Sequence, residues 1–259
     1  MLFVGVDLAW SPKNGTAVAI SKGDEEKAEL IDFKTNLSTD MEIVGYINEK
    51  VGKENALIAI DAPLIVPNKE GRRIAEKLVG LLFREYDAGA HPTNRKRLSQ
   101  WDGKVRGEEI SRLLEKYGFR HDPRIKKFER TRKFFEVYPH PSMVVIFNLK
   151  KIIQYKAKPK RDYKFRYREF RKYQNCLKSL EKANPRMFLP SEVLEKNVEK
   201  LKGNALKEYE DLLDAIFCAY IAYYVWYYPE KCEVLGNMQN GYILTPVFGQ
   251  MKKLQDFYR

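Results

Sequence analysis

The sequence contains little cysteine and no long apolar run. Its three cysteines, at positions 176, 218 and 232, form no CxxC pair and no metal-ligand spacing, which excludes a disulfide framework and favours reduced thiols. The longest apolar run, residues 215–228, is shorter than the roughly 20 residues that a membrane-spanning helix needs. No basic segment precedes the first apolar stretch, and Asp7 interrupts that stretch, so no secretory signal peptide is expected. We therefore expect a cytoplasmic protein with no membrane partner.

Acidic residues are outnumbered by basic ones. The chain has 47 Lys and Arg residues against 35 Asp and Glu, so its formal net charge is +12 over 259 residues. This excess predicts an anionic partner, and nucleic acid is the first candidate. A basic protein without such a partner is the alternative interpretation.

The hydrophobic pattern predicts alternating strands and helices. Residues 2–8, 15–21 and 28–34 predict three strands joined by antiparallel hairpins, because turn residues separate them. The later segments predict a helix from 39 or 40 to about 51, a strand at 56–60, a helix at about 71–86, a loop at 87–105, a helix at 108–117, a strand at 132–138, a helix after 162, a long helix at 206–227 and a strand near 242–244.

This order predicts the fold class. Three hairpin-connected strands followed by crossover strands are the order of the ribonuclease H-like fold. We therefore predict an α/β protein with a ribonuclease H-like mixed sheet, flanking helices and a helical insertion. The whole chain, 1–259, is expected to form a single domain with helical and basic insertions at about 68–130 and 150–200. Small residues that would let the late helix approach the sheet closely stand at positions 215, 218, 219 and 222.

Four acidic residues fall where this fold would gather them. Asp7 lies in the first strand, which is central in this fold, and Asp61 ends the fourth strand beside it. Asp211 and Asp214 are three residues apart and therefore share one face of the late helix. Each also has a structural alternative: Asp7 as a satisfied buried acid, Asp61 as a turn-stabilising residue, and Asp211 with Asp214 as surface acids that pair with Lys207.

Carboxylates gathered in this way repel one another unless a proton or a cation compensates them. Mg²⁺ and Mn²⁺ prefer hard oxygen ligands and keep positions for water and for phosphate oxygens. Two such ions about 3.5–4 Å apart could activate water and stabilise the leaving oxygen of a phosphodiester. The predicted cofactor is therefore Mg²⁺ or Mn²⁺, with Asp7, Asp61, Asp211 and Asp214 as candidate metal ligands.

Two further candidates lie at the end of the predicted strand at 132–138. Glu136 could be a catalytic acid, a metal ligand or a substrate-positioning acid, or it could pair with a nearby arginine. His140 lies between two prolines and could shuttle a proton or contact phosphate; a loop histidine without such a role is the alternative. Arg73 and Glu76, three residues apart, predict only a pair on a helix surface.

A basic segment at 150–173 is the candidate nucleic-acid surface. Its cations would neutralise phosphates, and its interleaved aromatic residues could stack on bases. The alternative is a solvated helix whose aromatic residues, such as Phe165 and Phe170, pack inward. Trp10 could likewise stack on a base or simply pack. The candidate nucleic-acid-binding cations are Lys156, Lys158, Lys160, Arg161, Lys164 and Arg168, and the aromatic residues among them are Tyr155, Tyr163, Phe165, Tyr167, Phe170 and Tyr173.

Four motifs carry a family resemblance. VGVDLAW, IAIDAPL, FEVYPHPS and DLLDAIFCAY, in this order, resemble the family catalogued as domain of unknown function 429, a family of predicted nucleases of the ribonuclease H-like fold. The resemblance covers nearly the whole chain and implies Asp7, Asp61, Asp214 and Asp211 as metal ligands. Glu136 matches an E-x-Y-P element of the family. The D-x-x-D-A element is also similar to the late helix of the Holliday-junction resolvases of the same superfamily.

We therefore expect a metal-dependent nuclease that hydrolyses phosphodiester bonds of DNA or RNA, as a monomer or a homodimer. One alternative is an ATPase or small-molecule kinase of the actin-like fold, although its first loop needs Asp-x-Gly and Ala9 stands in place of that glycine. Another alternative is a nucleic-acid-binding module whose acidic site is inactive. ATP hydrolysis would indicate the first alternative, and salt-sensitive binding without metal-dependent turnover the second.

Overall fold

A mixed β-sheet forms the centre of the fold. A computed structural model describes residues 1–11, 13–100 and 103–255, with side chains as far as residue 252. The strands in these residues are β1 (Leu2–Asp7), β2 (Thr16–Gly23), β3 (Lys27–Leu37), β4 (Ala56–Asp61), β5 (Arg120–His121), β6 (Arg132–Glu136), β7 (Arg186–Phe188), β8 (Cys232–Asn237) and β9 (Gly241–Pro246). Seven of them form the sheet in the spatial order β5-β6-β4-β1-β2-β3-β7, and β8 pairs with β9 in a separate hairpin.

Helices cover both faces of this sheet. The helices are α1 (Asp40–Val51), α2 (Ile74–Phe83), α3 (Arg95–Leu98), α4 (Arg106–Lys116), α5 (Pro139–Ile146), α6 (Tyr163–Ser179), α7 (Ser191–Leu194), α8 (Gly203–Tyr227) and α9 (Gly249–Gln255). One face packs against α8 and α6, and the other packs against α1 and α4. Within the described ranges, no helix is long and apolar enough to cross a membrane.

The first quarter of the chain follows the predicted order. β1, β2 and β3 are joined antiparallel, and β4 pairs in parallel with β1. β1 is therefore the central strand, as predicted. Thr39 caps α1, because its hydroxyl accepts from the backbone N–H of Glu42 while the Glu42 carboxylate accepts from the backbone N–H of Thr39. The prediction of an α/β protein with a mixed sheet and flanking helices is confirmed.

Close packing between β1 and α8 depends on Gly5. A Cβ at this position would lie 2.0 Å from the Ala215 carbonyl oxygen and 2.2 Å from the Ala219 backbone nitrogen. A residue with a side chain would therefore push the helix off the sheet. The small residues Ala215 and Ala219 are fully buried at this contact, so the predicted close approach of the late helix is confirmed.

Three strands and several helices, among them α5 and α9, differ from the sequence expectation. β5 and β7 are two and three residues long, which is too short for the alternation that identifies a strand. β8 pairs antiparallel with β9, where the pattern predicts a single final strand. The helix α3 lies inside the predicted loop at 87–105, of which residues 101 and 102 are outside the described part of the chain.

Candidate active site

Asp7 and Asp61 end neighbouring strands at the same edge of the sheet. β1 and β4 pair in parallel with Asp7 opposite Asp61, so the two side chains point to the same face and the strands lie about 4.8 Å apart. This is the face that α8 covers, since Gly5, which has the same orientation as Asp7, touches that helix. The register of the two strands thus brings the first two candidate acids together.

The helix α8 adds Asp211 and Asp214 to this edge. The side chain of Asp7 acts directly on the pKa of Asp211, so the two carboxyl groups lie close to each other. Asp211 also forms an ion pair with Lys207, as one of the sequence alternatives has it, yet Asp211 is buried rather than on the surface. The charge of Asp214, which is fully buried, acts on both Asp7 and Asp61. The four acids therefore lie near one another.

Asp214 is held by residues of the basic segment. The Tyr155 hydroxyl donates to Asp214 Oδ1 at 2.5 Å, and the Tyr173 hydroxyl donates to the same oxygen at 3.2 Å. Lys156 Nζ lies 2.8 Å from Asp214 Oδ2. Both tyrosine rings are fully buried, so the interpretation of these two residues as base-stacking aromatics is wrong. Phe170 is fully buried as well, as the packing alternative predicts.

Burial and the ammonium groups of Lys156 and Lys207 determine the charges of this cluster. Burial raises the pKa of Asp7 well above its usual range; Lys156 opposes this shift, while Asp214 and Asp211 add to it. Burial also raises the pKa of Asp61 to about 7. Burial acts in the same direction on Asp214, but the charge of Lys156 and the hydrogen bonds from Lys156 and Tyr155 outweigh it and lower the pKa of Asp214. Asp214 thus favours its ionised form, while burial favours the protonated form of Asp7.

Asp7 and Asp61 lie at the floor of a cleft of about 410 Å³. The strand ends supply Asp7 and Asp61, and Trp10 stands on the loop that follows β1. The other walls come from the segments after α2 and β6 and from the basic segment. The lining residues from these walls are Asp87, Gly89, His91, Tyr138, His140, Ile152, Ile153, Lys156, Lys158 and Arg161. The cleft therefore combines an acidic floor with a cationic wall.

The predicted nucleic-acid-binding cations fall on two surfaces. Lys156, Lys158 and Arg161 line the cleft. Lys164 and Arg168 line a separate open groove on the outer face of α6, together with Phe165, Tyr167 and Arg171. Lys160 is exposed in the turn between the two surfaces. The cations of the cleft wall come directly before those of the α6 groove in the sequence, and both surfaces present cations to solvent.

Glu136 lies outside the acid cluster. It pairs with Ile60 in the register of β6 and β4, so its side chain points to the face opposite that of Asp61. Its carboxylate accepts hydrogen bonds from Arg73 Nη1 at 2.9 Å and Nη2 at 2.5 Å, and from the Leu64 backbone N–H at 2.9 Å. Of the roles considered for Glu136, pairing with an arginine is the one that these contacts match.

Arg73 connects Glu136 to a second buried carboxylate. Its guanidinium is paired with Glu76 at 2.6 Å and donates to the Ile65 carbonyl oxygen at 2.9 Å. The side chains of Arg73 and Glu76 are each 1% exposed, so the prediction of a helix-surface pair is wrong. Since Glu136 and Arg73 bind the backbone at Leu64 and Ile65, this network fixes the segment that follows Asp61.

His140 lies on the cleft wall beside the acids. Its ring stacks on Tyr138 at a centroid distance of 5.3 Å and on Tyr155 at 6.3 Å. Burial and the charge of Lys156 lower the pKa of His140 to about 3. The imidazole is therefore neutral at neutral pH and has a free acceptor nitrogen, which is the form that a proton acceptor needs.

The donor chemistry of the cluster suits a hard divalent cation. In the part of the chain that the structure describes, no group of three or more His, Cys, Asp or Glu side chains is already arranged around a metal position. Asp7, Asp61 and Asp211 nevertheless present carboxylates whose pKa values are raised, and a divalent cation would relieve their repulsion. The oxygens of Asp214 are already engaged by two hydroxyls and by Lys156. Mg²⁺ or Mn²⁺ remains a prediction.

Sequence reasoning missed three residues that shape this site. The sequence indicates for Tyr155 and Tyr173 only that they could stack on bases, and it predicts Arg73 on a helix surface. The apolar pair Ile152 and Ile153 just before Tyr155 is a signal that this part of the segment is buried. No comparable local signal marks Arg73, whose partner Glu136 is 63 residues away.

Comparison with known proteins gives a family but no activity. No curated protein matches the chain. The model of the family described as "Protein of unknown function (DUF429)" matches residues 5–239, a range that includes the four clustered acids and all of the cleft-lining residues. Since this match spans most of the 259 residues, the chain belongs to the DUF429 family.

Proposed function

We propose that this protein is a metal-dependent nuclease that hydrolyses phosphodiester bonds of DNA or RNA. The observation that carries the proposal is the cleft in which Asp7 and Asp61 form the floor, close to Asp211 and Asp214, beneath a wall of cations. An acidic floor attracts a divalent cation, and a cationic wall attracts phosphate. The two together suit a phosphodiester.

The fold supports the same proposal. Antiparallel β1, β2 and β3, followed by the parallel strands β4 and β6 on the other side of β1, agree with the strand order of the ribonuclease H-like fold. We propose a single domain of this fold over 1–259, with α2, α3 and α4 in the insertion at about 68–130. The insertion at about 150–200 supplies the cationic wall.

The residues of the cleft would have different roles in binding the cation and the substrate. Asp7, Asp61 and Asp211 would hold the cation, which when bound supplies a Lewis acid and a more acidic water. Lys158 and Arg161 would hold the phosphate backbone from the facing wall. Lys156 holds Asp214 in its ionised form, and Asp214 could join the cation once that ion pair opens.

Cleavage assays test the proposal directly. Labelled DNA and RNA oligonucleotides are incubated with the protein and Mg²⁺ or Mn²⁺, and we expect cleavage that Asp7→Asn abolishes. Asp122→Asn is the matched control, because Asp122 is also a buried acid but pairs with Lys133 and Arg124 outside the cleft. Equal behaviour of the wild type and Asp7→Asn across the panel would overturn the proposal.

A second candidate is a nucleic-acid-binding module with an inactive acidic site. The observation that favours it is the ion pair of Lys156 with Asp214, which together with the ion pair of Lys207 with Asp211 compensates part of the charge of the cluster without a metal. Binding whose affinity falls steeply with salt, together with no metal-dependent cleavage by the wild type, would favour this candidate.

A further inference from the structure

Trp10 lines the cleft beside the acidic floor. It follows Asp7 by three residues and lines both the main cleft and a neighbouring cavity of about 70 Å³, which shares Asp61, His91 and Tyr138 with it. Its side chain is partly exposed. An indole beside the acidic floor is thus available to a molecule that enters the cleft.

The ring of Trp10 is supported from behind. It packs against a small apolar cluster made of Val66, Leu98 and Val105, all of which are buried. These residues come from the segment after β4, from α3 and from the residue that precedes α4. One side of the indole is therefore fixed by packing, whereas other ring atoms face the cleft.

Arg106 fixes the backbone on both sides of this residue. Its Nη1 donates to the carbonyl oxygens of Ala9 at 2.8 Å and of Ser11 at 3.4 Å, which flank Trp10. Its Nη2 donates to the Ser38 carbonyl oxygen at 2.6 Å, and its Nε is paired with Asp40 at 2.7 Å. Because the loop is held without any ligand, little conformational entropy remains to be lost when a molecule stacks on the indole.

We propose that Trp10 is a stacking platform for an unpaired base, so that the substrate class is single-stranded nucleic acid. The inference rests on the proposed function and specifies its substrate. Stacking on an indole needs a base whose face is free, which a single strand offers and an intact duplex does not. The volume of about 410 Å³ is that of a small-molecule site, and Lys158 and Arg161 line the same cleft as the indole, where they can bind the backbone of the stacked nucleotide.

Binding in EDTA tests this inference without depending on catalysis. Fluorescence anisotropy would compare a labelled single-stranded oligonucleotide with the same sequence in a blunt duplex at one salt concentration. We expect the wild type to bind the single strand at least about tenfold more tightly, and Trp10→Leu to weaken single-strand binding by about tenfold.

Variants separate stacking from packing. Trp10→Leu keeps apolar contact with Val66, Leu98 and Val105 but removes the aromatic face, and Trp10→Phe should restore most of the affinity. Tyr117→Ala is the control, since Tyr117 is an exposed aromatic residue that follows the last residue of α4 and lies outside the cleft lining. It should bind the single strand as the wild type does.

The inference fails if the duplex binds as tightly as the single strand, if Trp10→Leu binds like the wild type, or if neither oligonucleotide binds. Its failure is distinct from that of the proposed function. Metal-dependent cleavage of duplexes alone would support a nuclease and overturn the single-strand inference. Trp10-dependent binding of single strands without any cleavage would support the inference and overturn the nuclease.

Discussion

Gly5→Ala tests how the contact between β1 and α8 builds the acid cluster. A Cβ at residue 5 would lie 2.0 Å from the Ala215 carbonyl oxygen and 2.2 Å from the Ala219 nitrogen. Both are backbone atoms of α8, so rotation of a side chain cannot relieve the overlap. Ordinary van der Waals contact begins at 3.4 Å. The helix must therefore move away by up to 1.4 Å, the difference between 3.4 and 2.0 Å.

Such a movement has a cost in stability and a cost at the site. Overpacking of a core costs about 1–3 kcal/mol, occasionally more. Because α8 packs on β1, β2 and β4 together, we expect Gly5→Ala to lower the free energy of unfolding by about 3–5 kcal/mol. The same movement carries Asp211 and Asp214 away from Asp7, and a misplacement of about 1 Å lowers catalysis by about 100-fold.

Urea denaturation followed by circular dichroism measures the first effect, and the cleavage assay measures the second. Gly45→Ala is the matched control, because Gly45 lies inside α1 and has no atom within 4 Å of its Cβ position. That variant should gain about 0.5–1 kcal/mol. If Gly5→Ala were as stable as the wild type, α8 would not be held at this distance by the glycine, and the reasoning would be refuted.

Two further predictions concern buried ionisable residues away from the cleft. Burial lowers the pKa of His121 to about 4 from the ordinary 6.5, so its contribution to stability is complete above pH 6.5 and is lost as the pH falls toward 4. Urea denaturation at pH 7 and pH 5 should therefore show a smaller acid-induced loss in His121→Gln than in the wild type; an equal loss would contradict this assignment. Arg73→Met leaves the carboxylates of Glu76 and Glu136 buried without their cation, and we expect a loss of about 3–5 kcal/mol in the free energy of unfolding. The double variant Arg73→Met/Glu136→Leu should recover part of that loss, whereas additive losses would show that the pair is not coupled.

The sequence predicts β1, β4 and α8 well because each carries a strong local signal. The sequence of β4 is a continuous apolar run that ends at Asp61. The length of α8 and its small residues predict a buried helix. The register that sets Asp7 opposite Asp61 follows from two strands of equal length that end in the same residue type. Local pattern and tertiary structure agree here, which is why all four acids could be placed on their elements.

The partners of Asp214 could not be predicted in this way. Lys156 and Tyr155 lie in the segment before α6, and they contact Asp214 on α8, which is 58 and 59 residues further along the chain. Within their own segment they resemble the solvent-facing cations and aromatics around them. Only the tertiary fold shows that Lys156 contacts a buried carboxylate while Lys158, two residues on, stays exposed. A hydrophobic pattern indicates which side chains are apolar, but it does not indicate which carboxylate a given lysine will contact.

The charges of the cleft make metal and substrate interdependent under the proposed function. Phosphate alone would approach an acidic floor and be repelled by Asp61 and Asp214, while a cation alone would lie near Lys156 and be repelled by its ammonium. When both are present, the cation compensates the negative charge of the acids on the floor, and the phosphate compensates the positive charge of the cations on the wall. Single-strand affinity should therefore rise when Ca²⁺, a cation that takes oxygen ligands, replaces EDTA at constant ionic strength. Asp61→Asn should bind the single strand more tightly than the wild type in EDTA, because it removes a negative charge from the floor, and should lose most of the gain from Ca²⁺.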